Sequence, residues 1–65
     1  MNAMTDPGVH EGTRWETLDG KRAYRVLRVY SYGGREYADL VHLGTARVHT
    51  ITTQGLVRKY REIAP

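Results

Sequence analysis

The residues that could do chemistry are tyrosines and arginines. Five tyrosines stand at positions 24, 30, 32, 37 and 60, and all but two of the ten basic residues are arginine. Four of the tyrosines lie in the stretch 23–43, interleaved with Arg25, Arg28 and Arg35. Tyrosine rings can stack on nucleic-acid bases, and an arginine fork can grip a phosphate through two parallel hydrogen bonds. The spacing therefore points to a nucleic-acid or protein partner bound by Tyr24, Arg28, Tyr30, Tyr32, Arg35 and Tyr37. The basic run Arg58, Lys59 and Arg61 adds a second cluster of phosphate contacts. The competing reading is that these tyrosines cap the core, covered by the N-terminal arm, by the last strand or by a twofold mate in a homodimer.

Other chemistries find little support. The carboxylates Asp6, Glu11, Glu16, Asp19, Glu36, Asp39 and Glu62 have no paired spacing for acid–base work. No Ser/His/Asp constellation and no phosphate-cradling glycine loop is present. His42 and His49 can become neighbours in one strand register, but no third ligand accompanies them and Arg25 would repel a cation. The sequence thus implies a non-catalytic binding module with no cofactor and no metal.

The elements that must position these groups read as strands. The runs 23–32 and 35–43 are rich in β-branched and aromatic residues, and Gly33-Gly34 separates them. A two-residue primed turn needs positive φ, which glycine supplies without a Cβ clash. With those glycines as the turn, Tyr32 faces Arg35, Tyr30 faces Tyr37, Val29 faces Ala38, Arg28 faces Asp39, Leu27 faces Leu40 and Val26 faces Val41. Aromatic meets aromatic and charge meets opposite charge, pairs worth about 0.2–1 kcal/mol each. One face then carries Leu27, Val29, Ala38 and Leu40. The expected core is that set with Trp15, Ile51 and Leu56, and the tyrosines occupy the other face.

In chain order, residues 1–11 read as a polar arm and 12–65 as one domain. A first short strand spans 13–18, closed by the turn signal Asp19-Gly20. A fourth strand spans 47–52. Two turns can precede it: Gly44-Thr45, which sets His42 against Arg47, or Thr45-Ala46, which sets it against His49. Thr53-Gln54-Gly55 reads as a tight turn with Gly55 free to take positive φ. The segment 56–63 fits a fifth strand with Leu56 and Tyr60 inward, though the same residues also fit a short helix.

Short strands joined by tight turns imply a small antiparallel all-β barrel, closed to protect its edges. The pattern Gly12-x-x-Trp15, Arg25-x-Leu27-x-Val29, Ala38-x-Leu40, Ile51 to Leu56 and Tyr60 resembles small uncharacterised proteins of actinobacteria and their phages. That resemblance implies an SH3-like barrel over residues 12–63, and a phage or mobile-element accessory role is the alternative to nucleic-acid binding. The glycine and valine spacing of ribosomal KOW motifs is absent.

Composition bounds the rest. A chain of 65 residues with a net charge of +3 permits a polyanionic partner without demanding one. It has no cysteine, so no disulfide or thiolate metal site supports the fold, which fits a reducing cytoplasm. No apolar run approaches the ~20 residues of a membrane span.

Overall fold

The computed structural model describes residues 8–63. Five antiparallel strands and one helix follow one another: β1 (Arg14–Thr17), β2 (Ala23–Tyr32), β3 (Arg35–His42), β4 (Val48–Thr52), α1 (Thr53–Lys59) and β5 (Tyr60–Ile63). The strand order is β4-β3-β2-β1-β5, so the last strand returns to pair with the first. The sheet curls into a half-barrel with a short helical crossover before the final strand, an SH3-like all-β architecture. Among the described residues no helix is long and apolar enough to cross a membrane.

The β2–β3 hairpin turns at Gly33-Gly34, whose φ values are +60° and +81°. Both are positive, as a primed turn whose twist matches the strands requires. From the tip downward the register follows the cross-strand chemistry: Tyr32↔Arg35, Tyr30↔Tyr37, Val29↔Ala38 and Arg28↔Asp39. Below that the register slips by one. Val26 faces Leu40 and Arg25 faces Val41, with a bulge between Val26 and Arg28.

The bulge corrects the expected core. Leu27 is the extra residue, and it is 46% exposed. Val26 takes its place inside, 1% exposed, opposite Leu40 at 0%. The same shift carries Tyr24 off the outer face and into the core, 7% exposed. An inserted residue flips every side chain beyond it, which is why one slip changes both faces at once. Trp15, Ala38 and Leu56 complete the buried set, with Val29 and Ile51 packed against it. The Trp15 indole N–H donates to Thr13 Oγ1 at 3.1 Å, so its polar edge is satisfied.

The packed part also begins before Gly12. Val9 is 4% exposed within the core, and the Gly12 N–H donates to the Val26 carbonyl at 2.8 Å. The expected arm therefore excludes Val9, whose side chain belongs to the core cluster. Residues 1–7 of that arm lie outside the described residues.

The segment after β4 combines both readings of the sequence. Thr52 caps α1, its hydroxyl accepting from the Gly55 N–H at 3.1 Å. Gly55 is therefore helical rather than a left-handed turn residue. Leu56, fully buried, anchors the helix, and the strand begins only at Tyr60.

The β3–β4 loop shows a second departure. The His42 N–H donates to the Arg47 carbonyl at 2.8 Å, which is the register of a Gly44-Thr45 connection. The left-handed residue, however, is Ala46 at φ +64°, whose N–H donates to the His42 carbonyl at 2.7 Å. An L-residue pays roughly 1–2 kcal/mol in this region, part of which glycine recovers. Ala46→Gly should thus raise stability by about 0.5–1 kcal/mol, read from urea midpoints; unchanged or lower stability would contradict the loop conformation.

Candidate functional site

The outer face of β2 and β3 is a ladder of side chains. Arg28, Tyr30 and Tyr32 alternate outward on β2, and Arg35, Tyr37 and Asp39 oppose them on β3. The rings of Tyr30 and Tyr37 stack, with centroids 5.9 Å apart and planes 29° from parallel. The Arg28 guanidinium sits over Tyr30, 4.8 Å from its centroid. Tyr32 stands at the hairpin tip, 76% exposed, with Arg35 across from it.

Asp39 fixes this ladder. Its carboxylate accepts from Arg28 Nε at 2.7 Å, from the Tyr30 hydroxyl at 3.1 Å and from the Thr50 hydroxyl of β4 at 2.6 Å. Three donors on one carboxylate stabilise its charged form. The Thr50 bond first, then the Arg28 bond, hold its pKa below the ordinary 3.8, with Tyr30 adding less. The folded pKa is thus depressed, so the contribution to stability is complete above the unfolded value of about 3.9 and fades as pH falls through the folded one. Asp39→Asn should cost about 1 kcal/mol at neutral pH and flatten the loss of stability below about pH 4. Parallel urea melts at pH 7 and pH 3 check this; an equal loss at both would show that Asp39 acts through packing instead.

The structure brings together five of the nine residues that the sequence singles out: Arg28, Tyr30, Tyr32, Arg35 and Tyr37. Three of the other four lie elsewhere, and Arg61 stands at the β5 edge of the same face, held by an ion pair. Tyr24 points inward through the bulge. Arg58 and Lys59 occupy the last turn of α1, where positive charge complements the helix carbonyls. Arg61 bridges to Glu16 across β5 and β1 at 2.7 Å.

Two arginines outside that set join the ladder. Arg14 of β1 lies directly opposite Arg25 of β2, both exposed on the outer face. Like charges placed opposite one another in a sheet oppose folding. Among the described residues the only carboxylate ion pairs with arginine are Arg28–Asp39 and Arg61–Glu16, so Arg14 and Arg25 form none, although Glu62 lines the same cleft as both. Their adjacency follows from the β1–β2 register, which is the one that Asp19-Gly20 sets as a two-residue turn.

The two histidines are not strand partners, since His49 pairs with Leu40 and His42 with Tyr24, but both rings pack against Tyr24. Among the described residues no three His, Asp or Glu side chains are grouped as metal ligands. Compared with protein-family models, curated proteins and solved structures, the chain matches none.

Proposed function

We propose that this protein is a non-catalytic module that binds nucleic acid on the outer face of β2 and β3, flanked by β1. The observation that carries the reading is the stacked Tyr30–Tyr37 pair set between arginines, two of which, Arg14 and Arg25, face each other and form no ion pair among the described residues. Folding gains nothing from that juxtaposition, whereas a phosphate backbone would bridge it. Exposed Tyr32 extends the aromatic surface to the hairpin tip. On this reading bases stack on Tyr32 and on the Tyr30–Tyr37 pair, while Arg14, Arg25, Arg28 and Arg35 meet phosphates.

A protein-interaction role on the same face is the second reading. It is favoured by the exposure of Leu27, 46%, which the bulge turns outward beside this ladder. Salt dependence separates the two, because phosphate contacts release counterions and apolar contacts do not. Fluorescently labelled single- and double-stranded oligonucleotides, titrated at about 50 and 200 mM salt, should bind at the lower concentration. Three to four phosphate contacts predict a logarithmic salt slope of roughly −2 to −3 for a single strand. No binding to either oligonucleotide at low salt would reject the nucleic-acid reading. A dimer in sedimentation that Tyr30→Ala dissociates would then establish the interaction role.

A further inference from the structure

The open end of the half-barrel holds a feature that the outer face does not use. Tyr24, buried, forms its floor, and its ring meets His42 at 5.1 Å, His49 at 5.3 Å and Tyr60 at 5.6 Å, each edge to face. Above it Arg22, His42, Thr45, Arg47 and His49 line a cleft of about 540 Å³. That volume is in the range of small-molecule sites and well above the needs of a single bare anion.

The polar side chains of this lining are donors, and none is a carboxylate. Neither Arg22 nor Arg47 forms an ion pair among the described residues. Arg22 does act on Asp19, but that carboxylate is engaged elsewhere, accepting from the Thr17 hydroxyl at 2.6 Å and from the Lys21 N–H at 3.0 Å.

The loop presets one more donor. The N–H groups of Gly44 and Thr45 both donate to His42 Nδ1, each at 3.0 Å. A nitrogen that accepts carries no proton, so the ring proton sits on Nε2, the atom the loop leaves unengaged. A Cβ at Gly44 would crowd this arrangement, meeting His42 Cε1 at 3.0 Å and Nδ1 at 3.3 Å, so that the ring would have to give by a few tenths of an ångström. The short loop thus fixes the His42 ring by its Nδ1 and leaves Nε2 as a donor in a cleft that Arg22 and Arg47 also line, over an aromatic floor.

We propose that this cleft binds a phosphate monoester, its phosphate held by Arg22, Arg47 and His42 Nε2–H and its organic part lying against Tyr24 and His49. Paired guanidinium forks match the oxygens of a phosphate dianion, and the absence of acidic lining removes the repulsion that would exclude it. The site is independent of the outer face.

Amide spectra of the ¹⁵N-labelled protein, titrated with inorganic phosphate, test the proposal. The Gly44, Thr45 and Arg47 signals should shift and saturate, while sodium chloride at matched ionic strength leaves them in place. Arg47 is exposed, so Arg47→Gln should fold normally and weaken binding roughly tenfold or more, the loss of a charge-assisted bond. Gly44→Ala, which crowds the His42 ring, should weaken it as well, and Tyr30→Ala should leave it unchanged. A nucleoside monophosphate or a 5′-phosphorylated oligonucleotide should displace the inorganic ion, the two arms telling a free small molecule from a strand end. Shifts that never saturate, that sodium chloride reproduces, that survive Arg47→Gln, or that neither monoester displaces would overturn the proposal.

Discussion

Leu40→Ala should destabilise the domain by about 2–5 kcal/mol, while Leu27→Ala should cost less than about 1 kcal/mol. Leu40 is fully buried at the centre of β3, between Val26 on one side and β4 on the other. Removing its branched end leaves a cavity that a curled sheet held by its neighbours cannot collapse. Folded domains are stable by only about 5–15 kcal/mol, and a chain this short sits at the lower end, so the variant should be largely unfolded on mild heating. Leu27, by contrast, is pushed outward by the bulge and leaves no void when truncated. Thermal and urea melts of both variants provide the comparison. Equal losses would mean that Leu27 packs inside and that the bulge is wrongly placed.

The second large effect is on binding. Tyr30→Ala should weaken a single-stranded oligonucleotide by roughly 1–3 kcal/mol with little change in salt slope, because it removes stacking and not charge. Arg25→Gln should instead reduce the magnitude of that slope by about one unit. The Tyr30 hydroxyl also donates to Asp39, so Tyr30→Phe serves as the control. It keeps the ring and loses the hydrogen bond, and should retain most of the affinity. If Phe loses as much as Ala, the tyrosine acts by holding Asp39 and Arg28 in place rather than by stacking.

How much of this was legible in the sequence depended on whether the signal was local. The tip of the β2–β3 hairpin was readable because Gly33-Gly34 demands a turn type and the Arg28–Asp39 and Tyr30–Tyr37 pairs then select the register. The bulge was marked only faintly, by the doublet Val26-Leu27 between Arg25 and Arg28. Two adjacent apolar residues cannot both face one side of a regular strand, so one had to leave the alternation. Which one left was decided by the fit of Val26 against Leu40 and by the Val26 N–H donating to the Thr13 carbonyl at 2.9 Å, the next rung of the β1–β2 hairpin. In α1, Gly55 looked like a breaker, yet the Thr52 cap and the burial of Leu56 outweighed the low helix propensity of glycine. Ala46 carried no sign of its left-handed backbone; the loop length and the His42–Arg47 closure impose it.

The candidate surface follows the same division. Arg28, Tyr30, Tyr32, Arg35 and Tyr37 came together because they flank one local turn. Tyr24 left them through the bulge, and Arg14 joined them through the β1–β2 pairing, whose register the local turn Asp19-Gly20 already implies.

Mapping a short single-stranded oligonucleotide onto the ¹⁵N-labelled protein at low salt tests the central claim most directly. The account predicts that the largest shifts fall on Arg14, Arg25, Arg28, Tyr30, Tyr32, Arg35 and Tyr37, and that they retreat together as salt rises. Saturating shifts confined to α1 and β5, around Arg58, Lys59 and Arg61, or no shifts at any residue, would contradict it.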